Sequence, residues 1–156
     1  MGFFDLLFGR KETAAKNAPD SDAGAFDAAT AKLILAEIDI DSAISAHQNW
    51  KVRLSSVLAG TSSEDLKPEI VCLDDRCDLG KWLHGSGKMR MGHLPAFSML
   101  IARHKQFHTE ASTVLATAKN GDLASATTLL NGNYQHTSVQ VVTLLQHLKK
   151  GLQSSR

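Results

Sequence analysis

The stretch LPAFSMLIARHKQFHTEASTVLATA, residues 94–118, decides the fold. Leu94, Phe97, Ile101, His104, His108, Ala111, Leu115 and Ala118 recur at alternating steps of three and four, the spacing that lines one face of an α-helix. Asn120-Gly121 follows and stops the helix, because glycine accepts the left-handed backbone on which many helices end. The middle of this seam holds His104 and His108, where Leu or Ile would otherwise stand.

Two further seams flank it. Leu33, Ala36, Ile40, Ala43, His47, Trp50, Leu54 and Val57 predict a helix of about 30 residues ending at Gly60. Leu123, Ala126, Leu130, Tyr134, Thr137, Val141, Leu144 and Leu148 predict another, ending near Gly151 and interrupted by Gly132. Between the first two lies TSSEDLKPEIVCLDDRCDLGKWLHGSG, residues 61–87. Here Asp74-Asp75 reads as the N-cap of a short helix from Arg76 to Leu83, closed by Gly85 and Gly87. No segment alternates with period two. The fold class expected is all-α, an antiparallel four-helix bundle with a short helix carrying Cys77.

Residues 11–25, KETAAKNAPDSDAGA, are small and polar and read as a flexible linker. They separate the apolar tip at residues 3–8 from the rest. The division is therefore tip and linker at 1–25, helical bundle at 26–150 and a tail at 151–156. The tip reads either as a terminus folded back on the bundle or as a docking peptide for a partner or a membrane surface.

Composition narrows the function. The 156 residues are 43% hydrophobic and 21% charged, with 17 basic against 16 acidic side chains and a formal net charge of +1. So even a balance supplies no broad field for DNA or an anionic membrane, and no nucleic-acid partner is expected. No run reaches the roughly 18 apolar residues of a membrane span. The basic residues Arg10 and Lys11 follow the apolar tip, the wrong order for a secretory signal, and Leu6 breaks the myristoylation pattern. Two cysteines, Cys72 and Cys77, favour a reducing compartment, and a cytoplasmic protein is expected.

The histidines carry the chemistry. His47, His104 and His108 all fall on seams, and an orphaned buried imidazole nitrogen costs about 1–3 kcal/mol. One metal ion satisfies all three. His104 and His108, four residues apart, share a helical face, and His47 reaches them from another helix. Cys77, in the first turn of the short helix, is the candidate fourth ligand, since free backbone N–H groups favour a thiolate there. Three imidazoles and a thiolate suit Zn2+. Trp50 and Trp82 read as core aromatics packed around the metal. Gly80 reads as the site of a close helix contact. Asp75 and Asp78 read as first-turn acids or as partners that orient a ligand, and Cys72 as a small buried hydrophobe. His84, His93, His136 and His147 lie off the seams and read as solvated or capping side chains.

His47 with Trp50, then Cys77-Asp78-Leu79-Gly80-Lys81-Trp82, then His104-Lys105-Gln106-Phe107-His108 together resemble the chemoreceptor zinc-binding (CZB) domain family. The intervals between the three motifs agree as well, and the resemblance covers about residues 26–150. It implies one zinc on His47, Cys77, His104 and His108, within a helical bundle that commonly dimerises. It also implies attachment to bacterial chemoreceptors or diguanylate cyclases, or a stand-alone form, which this chain resembles and which would meet such a partner in trans.

A closed four-ligand shell leaves no position for substrate water, so no enzyme is expected. Hydrolysis would want the Glu of HExxH, but Lys105 follows His104. A di-iron centre would want an acid four or five residues after a histidine, and none stands there. The expected function is a zinc-binding regulatory domain, a sensor of zinc or of oxidation at redox-sensitive Cys77 in chemotaxis or cyclic-di-GMP signalling. The alternative is a structural zinc site in a protein-interaction module.

Overall fold

The computed structural model describes residues 26–155, and these are helical throughout, with no strand among them. The helices are α1 (Ala28–Glu37), α2 (Ile40–Leu58), α3 (Pro68–Val71), α4 (Asp78–His84), α5 (Ser86–Met91), α6 (Pro95–Lys119), α7 (Leu123–Leu129) and α8 (Gln135–Ser154). A π turn, Leu130–Tyr134, joins α7 to α8. The expected tip and linker at 1–25 lie outside the described residues.

The long helices α2, α6 and α8 pack against one another, with α3 and α7 on α6 and α1 on α8. The core between them holds Ile34, Leu54, Leu100, Phe107, Val114 and Leu145, all nearly inaccessible. Lys149 on α8 grips the Asp41 carboxylate at the start of α2, at 2.6 and 2.7 Å.

The expected 30-residue first helix is two helices. Ile38 is extended, and the Asp39 carboxylate accepts from the Ser42 N–H at 2.9 Å, so a new N-cap begins α2. The break resets the apolar phase. Ala31, Ile34 and Ile38 are the buried positions before it, whereas Leu33 and Ala36 of the expected seam are exposed. From Ile40 onward the seam runs through Ala43, His47 and Leu54, all buried.

Stops at Gly60 and Gly121 fall where the backbone requires them: both have positive φ, +72° and +89°. The last helix, by contrast, does not end near Gly151. It continues to Ser154, and Leu152 is wholly buried in the main core. A strict seven-residue reading drifts by about 20° per heptad against a straight α-helix. Beyond Val141 the buried positions are accordingly Leu145 and Leu152, while Leu144 and Leu148 are only half-buried.

Leu152→Ala therefore tests whether this end belongs to the fold. We expect a loss of about 2–5 kcal/mol in denaturant unfolding, the range for a buried leucine. A change below about 0.5 kcal/mol, the size of an ordinary surface substitution, would place residues 151–155 outside the cooperative unit.

Candidate metal centre

Four side chains from three helices meet in the interior. His47 comes from α2, Cys77 from the N-cap of α4, and His104 and His108 from successive turns of α6. One donor atom from each lies within 4.8 Å of all the others. The three imidazoles are at most 4% exposed, and Cys77 is half-buried.

Two of the three rings are aimed by backbone carbonyls, while His104 Nδ1 is buried without a partner. The His47 Nδ1–H donates to the Ala43 carbonyl at 2.6 Å, one turn back on the same helix. The His108 Nδ1–H donates to the Val71 carbonyl at 2.9 Å, at the last residue of α3. A carbonyl can only accept, so in both rings the proton sits on Nδ1 and the Nε2 lone pair is left facing inward. These carbonyls, and neither Asp75 nor Asp78, orient the imidazoles. Asp75 is exposed beside Arg76, at 3.6 Å, and Asp78 is exposed in the first turn of α4.

Cys77 differs from its expected position by one step. It is the N-cap itself, with Asp78 the first helical residue, and its sulfur accepts from the Gly80 N–H at 3.3 Å. The Asp74-Asp75 pair belongs to the turn laid over Gly80 instead of capping the helix. A Cβ on Gly80 would stand 1.8 Å from the Asp74 carbonyl oxygen. His84 pins the same turn from the far end of α4, through Nε2 to the Asp74 carboxylate at 2.8 Å.

The convergence leaves more lone pairs than protons. His104 Nε2 lies 3.2 Å from His108 Nε2 and 3.3 Å from the Cys77 sulfur, which is 3.7 Å from His108 Nε2. His47 Nε2 is buried with no hydrogen-bond partner. Burial holds all three imidazoles below their ordinary pKa, His104 down to about 2, with repulsion from the neighbouring imidazoles adding to the effect there. They are therefore neutral, the form that ligates metal. Burial raises the Cys77 thiol, opposed by the Gly80 N–H. The thiol proton and a His104 ring proton on Nε2 still leave His47 Nε2 unserved and His104 Nδ1 without a partner, whereas a cation satisfies all four donors.

Size points the same way. Zinc bonds of about 2.0–2.1 Å to nitrogen and about 2.3 Å to sulfur place tetrahedral neighbours about 3.3 Å apart for N···N and about 3.6 Å for N···S. The 3.2, 3.3 and 3.7 Å separations match that spacing, and the donor set fits Zn2+.

Phe107, which sequence reasoning passed over, is the aromatic that stacks on the donors. Its ring meets His47 at 5.0 Å and His108 at 5.5 Å, both edge-on, and Tyr134 at 5.3 Å. Its helical spacing from Leu100, His104 and Ala111, which puts it on the same buried face, was the available signal. Trp82 packs on Phe97 and donates to Glu37, and Trp50 lies under the Arg53 guanidinium. Both tryptophans wall a groove that reaches His47, Cys77 and His108. Cys72, expected to be buried, is exposed, with its thiol directed to the Glu69 carbonyl.

Residues 47–115 match the family model of the chemoreceptor zinc-binding domain, a stretch that begins at His47 and contains all four donors. Neither the curated proteins nor the solved structures compared with the chain provide a match. No helix among the described residues is long and apolar enough to cross a membrane.

Gly80→Ala should disturb the centre without removing a donor. The added methyl meets backbone, so the Asp74 turn or the start of α4 must move. We expect about 1–3 kcal/mol of destabilisation together with weaker zinc retention. Thermal unfolding and metal content decide it, and wild-type values for both would contradict the close contact.

Proposed function

We propose that this chain, which carries a chemoreceptor zinc-binding domain over the matched stretch, is a regulatory module whose Cys77 reports zinc availability or oxidation. His47, Cys77, His104 and His108 would hold the ion. Zinc supplies a Lewis-acidic centre that keeps the thiolate and the three neutral imidazoles on one point. The single observation that carries the reading is the convergence of four donors whose inward lone pairs exceed the protons that could serve them.

What the chain's own residues contribute is an asymmetry. Three donors stand on the long helices α2 and α6, fixed by the core and by carbonyls. The fourth stands on a seven-residue helix and is half-buried at the edge of a groove. That places the reactive donor where reagents can reach it and where its loss disturbs the least anchored element. Attack of the Cys77 sulfur on a peroxide would form an S–O bond, break the O–O bond and expel the other oxygen as hydroxide or alkoxide, leaving a sulfenic acid, a much poorer ligand. The half-buried thiolate favours this sensing role over a purely structural site.

For the architecture we propose the antiparallel four-helix bundle, with the short helices completing the side that α2, α6 and α8 leave. Exposed Val139 and half-buried Val142 on α8 would serve a symmetric dimer. We place the protein in the cytoplasm, acting in trans on a chemoreceptor or diguanylate cyclase, without an enzymatic activity of its own.

Elemental analysis should find one zinc per chain. Cys77→Ala and His104→Ala should each lower retention sharply, while His93→Ala should not. Native protein without metal, or full retention in both donor variants, would overturn the ligand set.

Titration with peroxide should release zinc in step with modification of Cys77, followed by a chromogenic chelator and mass spectrometry. Cys72 is exposed and will also react, so Cys72→Ser provides the control and should release zinc normally. Oxidation of Cys77 without release, or resistance of Cys77 under conditions that modify Cys72, would favour a structural or zinc-level role.

A further inference from the structure

Among the described residues, the buried side-chain atoms without a hydrogen-bond partner are His47 Nε2, His104 Nδ1, the Tyr134 and Thr137 hydroxyls, and Gln140 Oε1. Two of these stand apart. His47 Nε2 faces the other donors, and half-buried Gln140 turns its amide to exposed His136, donating from Nε2 at 3.2 Å. The other three belong to elements that touch, α6 on one side and the π turn with α8 on the other. His104, Thr137 and Tyr134 are all at most 1% exposed, so bulk water does not serve them.

The helices bring the three to one level. After the turn at Gly121 the chain runs back along α6, and the Tyr134 ring meets Phe107 at 5.3 Å. His104 lies three residues before Phe107 and Thr137 three residues after Tyr134. On antiparallel helices both steps lead the same way, by about 4.5 Å each.

His104 is also the imidazole in need of a partner. Its Nε2 is turned to His108 and Cys77, so its Nδ1 carries the ring proton whenever Nε2 gives its lone pair to an ion. The Ala43 and Val71 carbonyls receive that proton from His47 and His108, and no carbonyl receives it from His104. Neither hydroxyl is in hydrogen-bond contact with the ring. Buried polar groups set apart in this way are joined by an ordered water, which needs two to four such partners.

We propose that His104 Nδ1 and the hydroxyls of Thr137 and Tyr134 form a site for one internal water, which makes Thr137 a positioning residue for zinc. The inference rests on His104 holding the ion, as in the proposed function. The water accepts from the His104 Nδ1–H and donates to the two hydroxyl oxygens. It thereby fixes the tautomer whose Nε2 lone pair faces the other donors, as the two carbonyls do for His47 and His108.

The test is zinc competition against a chromogenic chelator on the full chain, with Thr137→Val, Thr137→Ser and Tyr134→Phe. We expect Thr137→Val to hold zinc roughly tenfold more weakly, the size of effect seen when the partner of a ligating histidine is lost. Thr137→Ser, which keeps the hydroxyl, should restore most of that affinity, and Tyr134→Phe should weaken it too. The metal-free Thr137→Val protein should unfold no earlier than metal-free wild type, because an apolar group of the same shape suits a core. In nitrogen-15 NMR of the zinc-loaded chain, the His104 Nδ1 proton should exchange slowly in wild type and fast in Thr137→Val. Wild-type affinity in Thr137→Val or in Tyr134→Phe overturns the site. So does Thr137→Ser as weak as Thr137→Val, or an equal loss of stability with and without zinc, since either makes the residue merely structural. A wild-type chain that takes up no zinc overturns the proposed function and this inference with it, whereas zinc held equally by wild type and variants overturns this inference alone.

Discussion

Three imidazoles and a thiol point their lone pairs at a common space inside an apolar core, and the rest of the structure is arranged around that demand. Without a cation, the thiol proton and at most one His104 ring proton are shared among these four groups, and His47 Nε2 has no partner. Each unsatisfied group there costs on the order of 1–3 kcal/mol. The pairing of Nδ1 with fixed carbonyls, Ala43 on the same helix and Val71 on α3, prevents the rings from turning away to relieve the conflict. The centre is thus preorganised by backbone, and the carbonyl of α3 ties a four-residue helix to the site as firmly as any packing contact.

Two consequences spread outward. Toward the surface, the short helix α4 is held at both ends: by Cys77 within the cluster and by His84 on Asp74, with Gly80 allowing the turn to lie directly on the helix. Toward the interior, Phe107 links the imidazoles to Tyr134, which closes the π turn between α7 and α8. Tyr134 is fully buried, and that burial pushes its hydroxyl well above the ordinary phenol range. The donors are therefore in packing contact with the one irregular point of the C-terminal helices, a kind of feature found often at functional sites.

Much of this was legible in the residues. Seam periodicity announced the long helices, and histidines standing at seam positions announced the cluster, because a polar ring in an apolar stripe needs a partner. What escaped the sequence escaped for physical reasons. The break at Ile38–Asp39 breaks no periodicity rule, since a heptad seam can be drawn through Leu33 and Ala36, and only the Asp39 cap before Ile40 signals the restart. Leu145 and Leu152 replace the expected stripe because a straight helix drifts away from a seven-residue repeat. The partners of His47 and His108 are main-chain carbonyls, which every residue carries, so no side-chain pattern could single them out. Cys72 is exposed because α3 ends at Val71 and the chain turns outward there, a matter of tertiary geometry that composition does not encode.

The central claim is that one ion is held by three imidazole nitrogens and one thiolate, and zinc K-edge X-ray absorption on the purified protein addresses it most directly. The account predicts a four-coordinate first shell of three nitrogen scatterers near 2.0–2.1 Å and one sulfur near 2.3 Å, with the multiple-scattering pattern of imidazole. A shell without sulfur, or with two or more sulfurs, would contradict it.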